Sequence, residues 1–115
     1  MYGELSKKNI FYDLKSGGKT LFLSSSSKLR PLNIRHVSNL VSKLITEKTV
    51  GIVNVANPNI IEISEILELD NKQYDHKNER FINESNICVD KFNKDFQFNE
   101  SKKELIEDIW RYINF

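Results

Sequence analysis

Apolar residues recur along this chain at two periods, and each change of period marks an element. Between Leu29 and Arg35, Leu32 and Ile34 fall on one side and Asn33 and Arg35 on the other. Side chains alternate faces along a strand, so this stretch predicts a half-buried strand. Pro31 cannot donate a ladder hydrogen bond, which suits the start of an edge strand. Then the period lengthens. Ser38 or Asn39 can cap a helix, and Leu40, Val41, Leu44 and Ile45 follow at helical spacing with Lys43, Glu47 and Lys48 facing water. Gly51 ends that turn. Ile52, Val53 and Val55 form the short apolar run of a buried strand, and Asn57-Pro58 closes it. Residues 28–58 thus predict strand, helix, strand; a parallel pairing of the two strands would require a right-handed crossover.

The flanks are less regular. Met1 to Glu4 reads as an opening loop. Ser6 can start a first helix with Ile10, Phe11 and Leu14 as its stripe, stopped by Gly17-Gly18. Lys19 to Leu23 predicts a strand, and Ser24 to Ser27 a polar loop, free to move or to be ordered by a ligand. Ile60, Ile61 and Ile63 alternate with polar residues. Ser64 then begins a helix with Ile66, Leu67 and Leu69 on its apolar side. Asp70 to Arg80 is almost wholly polar and reads as a surface loop. Phe81, Ile82, Ile87, Cys88 and Val89 predict a last short strand, and Asp90 to Phe96 one helical turn with Phe92 and Phe96 at i and i+4. Ser101-Lys102-Lys103-Glu104 is a capping box. It opens a final helix whose core stripe is Leu105, Ile106, Ile109, Trp110 and Ile113. The expected class is α/β (α+β): one domain over 1–115, with a small mixed sheet of about four short strands and three to four helices.

Composition narrows this picture little. The chain has 115 residues, enough for one modest core, with 39% hydrophobic and 29% charged positions, as in an ordinary soluble domain. No apolar run is long enough to cross a membrane and no signal peptide opens the chain, so a cytoplasmic location is expected. Cys88 is the only cysteine, which excludes an internal disulfide and fits a reducing compartment; flanked by Ile87 and Val89, it reads as a small buried hydrophobe rather than a nucleophile. Charge is uneven. Residues 1–48 carry nine Lys/Arg and three Asp/Glu (+6), and residues 49–115 carry eight and thirteen (−5), which leaves +1. A basic front half could attract phosphate, or could be a solvated mixed surface.

The candidate chemistry is mostly excluded by spacing. Gly18-Lys19-Thr20 looks like the end of a P-loop, but Asp13 stands where that motif needs its first glycine, and the helix precedes the glycines. Asp75, His76 and Glu79 lack zinc-like ligand spacing, and no metal is expected. Nucleic-acid binding is not expected either, because no aromatic residues interleave the basic segment.

Four pieces resemble a known family. They are Tyr2-Gly3; Ile34-Arg35-His36-Val37-Ser38-Asn39-Leu40; Gly51-Ile52-Val53-Asn54-Val55-Ala56 with Ile63-Ser64-Glu65-Ile66; and Val89-Asp90-Lys91 with Phe96, Phe98 and the capped last helix. In that order they resemble the "N-x-Y-G", "F-I-H-V-D-D-L", "G-x-Y-N-V-G … S-x-x-E-L" and "D-x-S-K … L-G-F" signals of the C-terminal, substrate-binding part of extended short-chain dehydrogenase/reductases, the NAD-dependent sugar-nucleotide epimerases and dehydratases. The resemblance spans nearly the whole chain. The cofactor half of such an enzyme, its Rossmann domain, has no counterpart here, since the only glycines are Gly3, Gly17, Gly18 and Gly51. A Tyr-x-x-x-Lys pair is also missing: Tyr12 has Lys15 and Tyr74 has Lys77, each one residue too close. That pair exchanges the proton as hydride moves.

The resemblance implies a nucleotide-sugar-binding lobe with no catalytic residue and no cofactor of its own, NAD or NADP belonging to a complete enzyme. The family's diphosphate-clamping arginine falls on Leu32, and Arg30, two residues earlier, could reach the same anion or be a surface charge. Arg35 and, by a looser alignment, Arg80 are further candidates. The strand over Leu21, Phe22 and Leu23 would hold the base. The implied partners are a nucleotide sugar such as a UDP- or dTDP-sugar, and a separate cofactor-binding domain or a second copy. The alternative is a non-enzymatic protein-interaction module derived from that fold, which would expose an apolar patch. His36 reads as a structural hydrogen-bonding residue.

Overall fold

The computed structural model describes residues 1–3, 9–17, 20–21, 23–48, 50–70, 75–76, 82–85, 87–96 and 98–115. Among them are five helices and four two-residue strands: α1 (Ile10–Lys15), β1 (Thr20–Leu21), β2 (Lys28–Leu29), α2 (Ile34–Thr46), β3 (Ile61–Glu62), α3 (Ile63–Asp70), β4 (Asp75–His76), α4 (Asp90–Phe96) and α5 (Lys102–Asn114). The mixed α and β character is as expected. The sheet is not: β1 pairs with β4 in parallel and β2 pairs with β3 antiparallel, as two separate ribbons rather than one sheet. No helix among the described residues is long and apolar enough to cross a membrane.

The helix in the expected strand–helix–strand unit starts earlier than the alternation suggests. Asn33 caps α2, its side chain accepting from the Arg35 amide at 3.0 Å. Leu32 and Ile34 therefore do not share a strand face. Leu32 is buried just before the helix, and Ile34 is its first residue. The opening residues settle this start. Tyr2, expected in a loop, is fully buried; its amide donates to the Leu32 carbonyl at 3.1 Å and its carbonyl accepts from the Ile34 amide at 2.7 Å. Gly3 lies at φ +146°, and a Cβ there would run into Cγ2 of Ile34, so only glycine lets the chain pass this close.

Two apolar clusters result. In one, Tyr2, Phe11 and Leu14 of the front segments meet Ile61, Ile63 and Ile66, with Leu105, Ile109 and Ile113 of α5 in the middle. In the other, Leu32 and Leu40 pack with Ala56, Val89, Phe92 and Phe96. The i, i+4 phenylalanines of α4 and the capping box of α5 form as the pattern predicts.

Three further expectations change. Residues 52–55 join no strand among the described residues. Residues 87–89 form no strand, and Cys88 is exposed rather than buried. The serine loop is not a loose one: Ser24 and Ser27 are buried. The carbonyls of Ser27 and Ser25 accept from the amides of Ile63 and Ser64 at 3.1 and 2.9 Å, and Glu65 reaches back to the Glu62 amide at 2.8 Å. The loop thus satisfies free N–H groups at the start of α3.

Candidate functional site

Two concavities lie where α5 faces the start of α2. The stripe Leu105, Ile109, Ile113 turns into the core. One step round the helix, Glu104, Asp108, Arg111 and Phe115 recur at three- and four-residue spacing, so they share a neighbouring face. Capping by Asn33 sets Arg35 and His36 in the first turn of α2, opposite that face.

Asp108 is the hub. It accepts from the Tyr2 hydroxyl at 2.5 Å, from the Asn33 amide group at 2.8 Å and from Arg35 at 2.6 Å. Burial pushes its carboxyl up, but the hydrogen bonds from Tyr2 and Asn33, with the charge and hydrogen bond of Arg35, outweigh burial and hold it below its ordinary value. Burial first, and then the bond to Asp108, push the Tyr2 phenol far above its usual range. Tyr2 is therefore a fixed neutral donor and not a proton exchanger. A second hub lies further along. Glu100 accepts from His36 at 3.1 Å and from the buried Asn57 at 2.9 Å, and its carbonyl accepts from Asn59 at 2.7 Å. The His36 ring stands edge-on to Phe98. His36 thus holds structure together.

Two adjoining hollows share Arg35, Asp108 and Arg111 as a common wall. The first, of about 640 Å³, carries Glu100, Glu104 and Glu107 besides Asp108, and His36, Phe96 and Phe98. Its charge is acidic. The second, of about 600 Å³, is lined by Lys15, Arg35 and Arg111 against Asp108 alone, with Tyr112 and Phe115 beside them. Lys15 lies 4.8 Å above the Tyr112 ring. Arg35 is 64% exposed although it pairs with Asp108, so donors of its fork remain towards water. Arg111 has no ion-pair partner among the described residues. Three guanidinium or ammonium groups beside two rings can hold an anion and stack a flat group over it.

Of the described residues marked in the sequence as binding candidates, only Arg35 lines this second hollow. Arg30 donates to the carbonyls of Asn57 and Pro58 at 3.2 and 2.7 Å, clasping that turn, and its Nε is buried without a hydrogen-bond partner among the described residues. Leu21 is in β1 and Leu23 in the bend after it. Phe22 and Arg80 lie outside the described residues. Asp75 and His76 form β4, and Glu79 lies outside the described residues; among those described, no group of His, Cys, Asp and Glu is gathered to hold a metal. Sequence reasoning missed Lys15, Arg111, Tyr112 and Phe115. For Arg111, Tyr112 and Phe115 the signal was the second face of the last helix, read only for its core stripe. Comparison with protein-family models, curated proteins and solved structures finds no match to the chain.

Proposed function

We propose that the chain binds a phosphate-bearing metabolite of the nucleotide-sugar class, as the non-catalytic substrate lobe of an epimerase/dehydratase-like protein. The observation that carries the reading is the convergence of Lys15, Arg35 and Arg111 on one hollow beside Tyr112 and Phe115. A diphosphate suits the guanidinium forks, and a base or sugar ring suits the aromatic wall. The acidic first hollow, lined by Glu104 and Glu107, would face the sugar hydroxyls, which carboxylates accept well. Binding is the whole of the role. Tyr2 and His36 are tied into structural networks, and hydride transfer would need a cofactor domain from another source.

Titration calorimetry with UDP-glucose and dTDP-glucose tests this. Micromolar to millimolar binding is expected, with Arg111→Ala and Arg35→Gln each weakening it by roughly five- to tenfold, the loss of one charge-assisted contact. Arg30→Ala should lower stability and leave affinity unchanged, because Arg30 is engaged on the 57–58 turn. No heat with millimolar nucleotide sugar, or affinity indifferent to Arg111→Ala, would refute the reading.

A further inference from the structure

The two nitrogens of the His36 ring have different surroundings. Nε2 lies 3.1 Å from a carboxylate oxygen of Glu100. An ionised carboxylate only accepts hydrogen bonds, so Nε2 carries a hydrogen whether the ring is neutral or charged. Glu100 is itself held in place: its other oxygen accepts from the buried Asn57 at 2.9 Å, and its side chain is only 10% exposed. Nδ1 has no hydrogen-bond partner among the described residues. The proton that His36 gains or loses is therefore the one on Nδ1. Without it Nδ1 is an acceptor; with it Nδ1 is a charged donor.

The ring stands in the wall of the first hollow, with 28% of the side chain exposed and Phe98 meeting it edge-on. The charged groups around it come from three places. Arg35 is its neighbour on α2, Glu100 precedes α5, and Glu104, Glu107, Asp108 and Arg111 line the same hollow from α5. From α4 only Phe96 lines it, and that side chain carries no charge. With a neutral ring, four carboxylates outnumber two guanidinium groups in this wall, so the hollow suits an uncharged, hydroxyl-bearing group and repels an acid. A proton on Nδ1 offsets part of that excess and puts a donor into the wall.

We infer that His36 decides by its charge whether the first hollow takes a neutral or an acidic sugar: Nδ1 accepts from a sugar hydroxyl when the ring is neutral and donates to a sugar carboxylate when it is protonated. The inference rests on the nucleotide-sugar reading and adds a specificity-determining residue to it. Histidine is the side chain whose charge ordinarily changes between about pH 5 and 8, and His36 is the only histidine lining this hollow. Nε2 stays committed to Glu100 in both states, so the change is confined to the nitrogen that the fold leaves unused. The ligands do not titrate with it. A sugar carboxyl is ordinarily ionised above about pH 5, and the diphosphate is common to neutral and acidic sugars, so it cancels in a ratio of their affinities.

Calorimetry of the whole chain with UDP-glucose and UDP-glucuronate, at about pH 7.5 and about pH 5.5, tests this. The preference for UDP-glucose should be larger at the higher pH and shrink by roughly threefold or more at the lower, the scale of one partly screened charge. His36→Gln keeps a donor for Glu100 and cannot be charged, so its preference should be the same at both pH values. Nitrogen NMR of the imidazole in the unaltered chain gives a second readout that needs no variant. The neutral ring should carry its proton on Nε2, and bound UDP-glucuronate should move the His36 titration to higher pH than bound UDP-glucose does, because proton and carboxylate favour each other reciprocally. A proton on Nδ1 of the neutral ring overturns the inference, and so does a pH-dependent preference that survives His36→Gln. If both ligands bind with a ratio indifferent to pH, the nucleotide-sugar reading stands and this inference falls; if neither binds, the reading falls and takes the inference with it.

Discussion

Replacing Asp108 by alanine removes one acceptor from three donors at once, and the cost can be worked out contact by contact. Tyr2 is fully buried; its hydroxyl loses a bond to a charged group and is left without an acceptor, about 1–3 kcal/mol. The Asn33 amide group loses a second such bond, about 1 kcal/mol, and Asn33 also caps α2. The Arg35 pair is well exposed on the arginine side and contributes only about 0.5 kcal/mol. The total is about 2.5–4.5 kcal/mol, against about 6–17 kcal/mol expected for a chain of this length. Urea unfolding followed by circular dichroism should show a midpoint lower by roughly 2 M. Asp108→Asn keeps the shape and one acceptor oxygen, so its loss should be about half. A cycle with Tyr2→Phe isolates the buried bond, and a coupling of about 1–2 kcal/mol is expected. A loss below about 1 kcal/mol for Asp108→Ala, or additive single effects, would refute the hub.

The same hub sets two pH dependences. The folded pKa of Asp108 is depressed, so its contribution is complete above the ordinary carboxyl value near 3.9 and lost as pH falls through the lower folded value; acid unfolding of Asp108→Asn should be flatter there. The folded pKa of Tyr2 is raised, so its contribution is complete below its ordinary value near 10 and lost as pH rises beyond it; Tyr2→Phe should remove that alkaline loss, and an unchanged alkaline limb would contradict the assignment. Ser101→Ala opens the capping box of α5 and should cost about 1 kcal/mol in urea unfolding; an unchanged midpoint would show that packing alone fixes that helix end.

Local chemistry was legible where it was self-contained. Ser101 and Glu104 satisfy each other within one turn, and Phe92 and Phe96 meet across one turn, so neither depends on distant residues. The start of α2 was hidden because Leu29 to Arg35 alternates like a strand. Asn33 becomes a cap only when Tyr2, thirty-one positions earlier, takes the neighbouring hydrogen bonds. Ile52 to Val55 carries a strand's pattern, but a ladder needs a second chain segment, and sequence does not show whether one arrives. The burial expected for Cys88 failed for the same reason. Arg35 was marked in the sequence as a binding candidate through the resemblance, at the junction of the expected strand and helix. Lys15 and Arg111 join it only through the packing of α1 on α5, which no local pattern encodes.

The Tyr2 to Asp108 bond joins residues 106 positions apart, and that distance has a consequence during synthesis. As the chain emerges from the ribosome, the ring of Tyr2 has neither its acceptor nor the α5 side chains it packs among until residues 102–114 follow it out. Short helices such as α1 and α2 can come and go, but Tyr2 stays unlatched until α5 has been made. A pause before α5 emerges would leave that apolar segment waiting for its closing helix, open to chaperones and proteases alike.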